Sequence, residues 1–159
     1  MFIKTDVKDA GIFGKGLFAA ERVPAGKIVC CFTLGSEIIT EEQFVRGCAA
    51  GVRRIMRTGT RYAGRHYPVG NEAEPYNFIN HSFEPNLLSH CGLILAKRDV
   101  EAGEELTLDY RLLVDPSDVA AYDDAATGRP IRGLPARETI LRTARELIAL
   151  VEGIENWEG

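Results

Sequence analysis

The sequence predicts a mainly β domain with a few α-helices, and three observations lead to this class. Short apolar runs separated by turns containing Gly and Pro occupy residues 2–40 and 87–110, as in sheets of short strands. A capping box over residues 40–43 opens a helix, and a second amphipathic pattern follows Pro135. The 159 residues, 45% hydrophobic and 26% charged, have the size and balance of one soluble domain.

The first third of the chain reads as small antiparallel sheets. Apolar runs at 16–19 and 27–32 flank the turn Val23-Pro24-Ala25-Gly26. Pro24 fixes φ at the second turn position, and Gly26 tolerates the reversal. A similar turn at 100–103 separates two later strands within 87–110. Twisted two- or three-stranded sheets are therefore expected.

An inserted helix is predicted near residues 41–57. Thr40 serves as N-cap and Gln43 as its capping-box partner. Apolar residues then follow at 3–4 spacing: Phe44, Cys48, Val52, Ile55 and Met56. Two glycines, at 47 and 51, weaken this helix by about 1 kcal/mol each relative to Ala. Residues 58–86 read as a long loop, and a loop of that length in a small domain suggests function.

The C-terminal part is expected to be a polar connector and one helix. After residues 115–132, a helix opened by Pro135 ends before Gly153. One face of it is apolar: Ile140, Leu141, Ala144, Leu147, Ile148 and Val151. We expect a core at residues 1–111, with 112–159 packed on the same domain. A contact between two copies, forming a homodimer, is the alternative use of this face.

Charge and hydropathy exclude several classes of function. The net charge of −4 makes general binding to nucleic acid or to an anionic membrane surface a poor expectation. No continuous apolar run reaches the roughly 18 residues of a membrane helix. The first residues lack the apolar stretch of a signal peptide, which predicts a cytoplasmic protein.

The metal-binding residue types are too scattered to predict a metal site. The cysteines and histidines lack C-x-x-C or C-x-C spacing: Cys30, Cys31, Cys48, Cys91, His66, His81 and His90. His90 and Cys91 together would supply only two ligands. No metal is therefore expected, and the cysteines are predicted to be free thiols.

Three motifs carry the chemistry, although each has a plain structural explanation when taken alone. Gly14-Lys15-Gly16 permits close backbone approach but is also an ordinary turn. The segment 77–86 (NFINHSFEPN) places polar side chains directly after Phe78 and Ile79, so it enters the interior or forms a capped loop. The segment 103–110 (GEELTLDY) ends a strand on Tyr110, a residue type that commonly serves packing.

Together and in this order, the three motifs resemble the SET domain of protein-lysine N-methyltransferases. The family's GxG motif appears as GKG followed by LFA, its RFxNHSCxPN motif as NFINHSFEPN, and its GEELxxDY motif as GEELTLDY. The resemblance covers roughly residues 2–111. It implies a β-clip fold, in which small curved sheets surround a knot-like core.

The resemblance also implies a cofactor and a set of site residues. The cofactor is S-adenosyl-L-methionine. By motif position it is lined by Phe13, Gly14, Lys15, Gly16, Phe78, Asn80 and His81. Tyr110 matches the family's catalytic tyrosine. The implied reaction is methyl transfer to a lysine side chain of a protein substrate.

Departures from the family pattern define a minimal SET domain without the cysteine-rich zinc segments. No cysteine follows Tyr110, so the connector and final helix must complete the lysine channel, with Tyr122 as a candidate wall residue. The motif's usual Arg and Cys are Asn77 and Phe83. Leu108 occupies the position linked to the number of methyl groups added, where its small apolar side chain predicts higher methylation states.

The charge is concentrated near Tyr110. Nine acids and one base, Arg111, lie between residues 99 and 124, which leaves the remainder at +4. This stretch is either a surface that attracts a lysine-bearing, basic protein or peptide, or a solvated connector. The alternative to an enzyme is a SET-like binding module that does not transfer methyl groups.

Overall fold

Short strands and three α-helices follow one another in a computed structural model that describes residues 1–60, 65–114, 116 and 122–157. The strands are β1 Thr5–Asp9, β2 Lys15–Ala19, β3 Ile28–Cys31, β4 Glu37–Thr40, β5 His66–Val69, β6 Asn80–His81, β7 Leu87–His90, β8 Leu93–Ala96, β9 Thr107–Leu108, β10 Tyr122–Asp123 and β11 Pro130–Ile131. The helices are α1 Glu41–Ala49, α2 Arg53–Thr58 and α3 Ala136–Glu152.

The strands form small separate sheets. Antiparallel pairs are β1–β2, β4–β5 and β10–β11, and a three-stranded antiparallel sheet has the order β3-β8-β7. Strands β6 and β9 pair in parallel. This arrangement confirms the predicted mainly β class with helices.

One apolar core joins the N-terminal strands to those after residue 86. Its centre holds fully buried side chains, including Leu17, Val29, Leu87, Val100 and Leu106. The two similar turns lie side by side, because Val23 and Val100 exchange both backbone hydrogen bonds at 2.8 Å. Gly26 has a φ of +79°, which the first turn requires.

The inserted helix is broken into two, so the prediction of one helix near 41–57 is wrong in its continuity. The capping box is present, with Gln43 N–H donating to the Thr40 hydroxyl and Thr40 N–H to the Gln43 side chain. Helix α1 ends at Ala49, and Gly51 takes a φ of +69° that a right-handed helix cannot contain. The reversal lets α2 pack back on α1, where a Cβ on Gly47 would overlap Ile55.

Helix α3 packs against β7 through a face that overlaps the predicted one. Four of its six predicted residues are half-buried: Ile140, Ala144, Leu147 and Val151. Leu141 and Ile148, both expected on the packed face, are 38% and 57% exposed. Thr139 and Thr143 are buried instead. Thr143 can be buried because its hydroxyl donates to the carbonyl of Thr139 at 2.8 Å and lies 2.8 Å from Nδ1 of His90. In the described part of the chain, no helix has the length and apolarity to span a bilayer.

Candidate functional site

The segment around Asn80 lies directly beside the strand that leads to Tyr110. In the parallel β6–β9 pair, Asn80 is opposite Thr107 and His81 is opposite Leu108. The backbone N–H of Ser82 extends this register by donating to the carbonyl of Leu108 at 2.9 Å. Two motifs separated by sixteen residues in sequence therefore form one backbone unit.

Asn86 fastens the end of that segment to the same strand. Its side-chain oxygen accepts from the N–H of Thr107 at 2.9 Å, and its side-chain amide donates to the carbonyl of Glu105 at 2.8 Å. The Asn86 side chain thus forms two hydrogen bonds to the backbone of residues 105 and 107, as the backbone of a neighbouring strand would. Asn86 is only 3% exposed, so these bonds satisfy a polar group that burial would otherwise penalise.

Asn80 brings the glycine motif to the other two. Its side-chain amide donates to the carbonyl of Lys15 at 3.2 Å and to the carboxylate of Glu105 at 2.7 Å. Gly16 lies beneath this contact, where an added Cβ would overlap the Glu105 carboxylate and lie 3.1 Å from the Asn80 amide nitrogen. The second glycine of the motif is therefore required by packing against the two other motifs.

Gly14 differs from Gly16 because its surroundings are open. It has a φ of +76°, and a Cβ built on it would meet no atom within 4 Å. Phe13 and Phe78 are half-buried, and Lys15 is exposed. The turn therefore offers exposed backbone with room for a ligand to approach, next to partly covered aromatic rings.

Tyr110 contacts the Asn80–His81 segment through both its side chain and its backbone. Its hydroxyl donates to the carbonyl of Ile79 at 2.6 Å. Its backbone N–H donates to Nδ1 of His81 at 3.1 Å, and the two rings lie 5.5 Å apart. Tyr110 is thereby fixed at the end of β9 with its hydroxyl directed towards the chain just before Asn80.

His81 is 7% exposed, and its burial favours the neutral ring. Burial lowers its pKa below 6.5, against the opposing effect of the negative charges of Asp109 and Asp124. Because Nδ1 accepts the N–H of Tyr110, the ring proton lies on Nε2. This buried Nε2 has no hydrogen-bond partner among the described residues.

A cavity of about 190 Å³ opens beside Tyr110. Its wall includes Leu108, which is 4% exposed, together with Ile79 and residues of α2. Sequence reasoning missed most of the wall residues, among them Thr58 and Tyr76. Burial raises the pKa of Tyr76. The sequence signal that could have indicated them is the unusual length of the loop 58–86, to which both residues belong.

Phe83 lies between two arginines. Its ring centroid is 5.0 Å from the guanidinium of Arg111 and 4.0 Å from that of Arg129. The ring also meets His81 edge-on, with centroids 4.6 Å apart. Arg129 precedes β11, so the β10–β11 hairpin contacts the candidate site through this ring.

Part of the predicted channel lies outside the described residues. Tyr122 pairs with Ile131 through its backbone, but its side chain lies outside the part described. Residues 115 and 118, two of the predicted acidic positions, also lie outside it. The proposed role of Tyr122 therefore stays a prediction.

Several of the described acids near Tyr110 are paired with arginines. Asp99 pairs with Arg22, and Asp109 is 2% exposed and held by Arg111. A hydrogen bond from Arg98 lowers the pKa of Glu104 to about 2. The expectation of a free acidic surface is wrong for these carboxylates, because each has an arginine partner within the fold.

Comparison with known proteins identifies the same region of the chain. The SET domain family model matches residues 14–111, which is more than half of the chain. That span includes all three motifs and the inserted helices, and it ends directly after Tyr110.

The curated relatives that this chain matches are named histone-lysine N-methyltransferases. A probable histone-lysine N-methyltransferase, set-23 of Caenorhabditis elegans, is 34% identical over 114 residues, covering 61% of this chain and 46% of the relative. Histone-lysine N-methyltransferase SUV39H1-A of Danio rerio is 43% identical over 54 residues, covering 26% of this chain and 13% of the relative. SUV39H1 of Xenopus laevis is 40% identical over 73 residues, covering 38% and 17%. The chain spans less than half the length of these relatives.

Proposed function

Because the chain belongs to the SET-domain family, we propose that it transfers a methyl group from S-adenosylmethionine to a lysine side chain of a protein substrate. The observation that carries the proposal is the convergence of the three motifs on one point. Asn80 bonds to both Lys15 and Glu105, and the Tyr110 hydroxyl lies 2.6 Å from the carbonyl of Ile79 beside a cavity.

The residues present fit the proposed cofactor. Gly14 leaves open space against exposed backbone, and the buried Nε2 of His81 has no partner among the described residues. We assign the cofactor's contacts to the backbone of 13–16, with Asn80, His81 and the ring of Phe78 completing the site. When bound, the cofactor supplies a methyl group made electrophilic by its sulfonium.

The residues around the cavity must bind the side-chain amine of the substrate lysine in its neutral form. A lysine ammonium has a pKa of about 10.4 and no lone pair for attack, so it must lose its proton first. Transfer into a cavity walled by Leu108 and Ile79 disfavours the charged form and lowers the amine's pKa. The ammonium proton is released to solvent before the neutral amine attacks.

Tyr110 is proposed as the catalytic residue that orients this amine. Its hydroxyl donates its proton to the carbonyl of Ile79, and the oxygen can accept an N–H of the amine at the same time. The amine lone pair is then directed away from the tyrosine. Such alignment within about 3–3.5 Å of the reacting carbon is the main requirement of an in-line displacement.

We further propose that the substrate is a basic protein or peptide. The relatives are named as histone-lysine N-methyltransferases, so histones are the first substrate class to test. Since Asp99, Glu104 and Asp109 are each paired with an arginine within the fold, we propose that substrate choice depends on the cavity and on the surface of α2 more than on these charges.

The test combines a transfer assay with cofactor binding. The chain is incubated with methyl-labelled S-adenosylmethionine and purified core histones, and label is expected on lysine residues. Cofactor at 100 times its Kd should stabilise the fold by about 2.7 kcal/mol, which a thermal shift detects. Stabilisation without transfer to any basic protein would favour a binding module. If the cofactor does not stabilise the fold and no methyl group is transferred, the proposed function is wrong.

A further inference from the structure

We propose that Phe83 and Arg129 are positioning residues that dock the β10–β11 hairpin against the candidate active site. This inference deepens the proposed function, and its predicted effect on the KM for S-adenosylmethionine rests on that function. The docking itself rests on contacts of the described residues. It concerns a hairpin outside the matched region 14–111 and a phenylalanine that departs from the family's motif.

The central contact is an aromatic ring with two cations close to it. Both guanidinium groups lie within the roughly 6 Å at which a cation is attracted to a ring face: Arg129 at 4.0 Å and Arg111 at 5.0 Å. Arginine suits this geometry because its planar, weakly hydrated group stacks on aromatic rings. Phe83 therefore has a cation from the hairpin and a cation from the segment that follows Tyr110.

The guanidinium of Arg111 is held rigidly beside the Phe83 ring. The buried carboxylate of Asp109 accepts from Nε of Arg111 at 2.8 Å and from its terminal nitrogen at 2.6 Å. A guanidinium held in this bidentate way has little freedom to leave the ring. Arg129, by contrast, is exposed, so its stacking on Phe83 is the adjustable contact through which the hairpin attaches.

The ring also connects the hairpin to the residues of the proposed chemistry. His81 meets Phe83 edge-on at 4.6 Å, and its Nδ1 accepts the backbone N–H of Tyr110. A second hairpin residue, Asp124, is 5% exposed and acts electrostatically on His81. Asp124 is fixed by the N–H of Thr127 at 2.8 Å. Docking of the hairpin therefore holds the orientation of His81, which in turn contacts Tyr110.

Removing either partner of the Phe83–Arg129 contact should release the hairpin without unfolding the core. Arg129→Gln keeps a polar side chain but removes the cation, and Phe83→Leu removes the ring. Each should lower the hydrogen-exchange protection of amides in 122–131 by about threefold to tenfold. Each should raise the KM for S-adenosylmethionine by a similar factor, with a change in kcat below about twofold.

Controls separate positioning from general damage. Arg132→Gln removes an exposed cation just beyond the hairpin and should leave exchange and KM unchanged. Phe83→Trp retains an aromatic face and should preserve protection in the hairpin. The double variant should lose less exchange protection, and gain less in KM, than the product of the fold-changes in the two single variants. The reason is that Phe83→Leu and Arg129→Gln both remove the same contact.

The two readouts distinguish this inference from the proposed function. Loss of hairpin protection in Arg129→Gln and Phe83→Leu, but not in Arg132→Gln, supports the docking even if the parent chain transfers no methyl group. The inference is overturned if the parent is active and the Arg129→Gln variant has the same hydrogen exchange and the same KM as the Arg132→Gln variant. Fully multiplicative effects in the double variant would also overturn it.

Discussion

The side-chain amide of Asn80 lies 2.7 Å from the carboxylate of Glu105 and donates a hydrogen bond to it. The same amide reaches the carbonyl of Lys15, so one asparagine joins segments that begin near residues 14, 77 and 103. Gly16 leaves the space that this contact occupies. The three motifs are thus one packed unit, and a change in any of them is expected to affect the others.

Replacing Gly16 with Ala should destabilise this unit. The added methyl group would overlap the Glu105 carboxylate and lie 2.9 Å from the Cβ of Ala10, so one neighbour must move. We expect a loss of about 1–3 kcal/mol in the free energy of unfolding, together with weaker cofactor binding. Chemical denaturation and calorimetric titration with S-adenosylmethionine measure the two effects.

Gly153→Ala is the matched control for this substitution. Its Cβ would approach the carbonyl of Ala149 at 3.3 Å, at the end of α3 and away from the motifs. It should change cofactor affinity little. Equal effects of the two substitutions on affinity would contradict the packing role assigned to Gly16.

The number of methyl groups added should depend on Leu108. This buried side chain lines the cavity and carries no hydroxyl, so we expect the parent chain to form di- or trimethyl-lysine. Leu108→Tyr should shift the product towards monomethyl-lysine, because it fills space and adds a hydrogen-bonding group. Leu108→Phe separates the two causes. Mass spectrometry that finds only monomethyl-lysine from the parent chain would refute the expectation.

Stability should fall when the pH drops below about 6.5 because of His81. Burial holds the pKa of His81 below its ordinary value of 6.5, so the unfolded chain binds the proton at a higher pH than the folded chain. Protonation of Nδ1 would also break its bond with the N–H of Tyr110. The slope contributed by one such group is at most about 1.4 kcal/mol per pH unit.

The measurement is the free energy of unfolding against pH, from 7.5 to 5, for the parent and two variants. His81→Asn should reduce the slope, whereas His66→Asn, at an exposed position, should not. A residual slope is expected from His90, whose pKa burial also lowers. An unchanged slope in His81→Asn would show that this histidine does not govern the acid sensitivity.

Local chemistry made part of the fold predictable. The capping box at Thr40 and the turn at Val23–Gly26 both form, since each depends on residues close in sequence. The break at Gly51 was underestimated, because its left-handed φ is stabilised by packing of α2 on α1 that no local pattern reports. The packed face of α3 was predictable only in part, because Thr143 satisfies its hydroxyl within the helix and is buried, whereas Leu141 and Ile148 are exposed.

The meeting of the three motifs was predictable from their order, but the contacts between them were not. Motif order pointed to Asn80, His81 and Tyr110, and the structure places all three together. The pairing of Asp109 with Arg111 and the stacking of Arg129 on Phe83 depend on tertiary geometry. For that reason charge counting predicted a free acidic surface at Asp99, Glu104 and Asp109, which are paired with arginines within the fold.

The most direct test of the central claim follows methyl transfer by the parent, Tyr110→Phe and Tyr67→Phe. Each is incubated with S-adenosylmethionine carrying a deuterated methyl group and a basic lysine-containing protein, and tandem mass spectrometry locates the label. Tyr110→Phe keeps the ring and removes the hydroxyl on the carbonyl of Ile79, whereas Tyr67 belongs to a separate small core around β5. The account predicts label on lysine side chains from the parent and Tyr67→Phe, and a rate at least about a hundredfold lower for Tyr110→Phe. Full-rate transfer by Tyr110→Phe, or absence of lysine label from the parent, would contradict it.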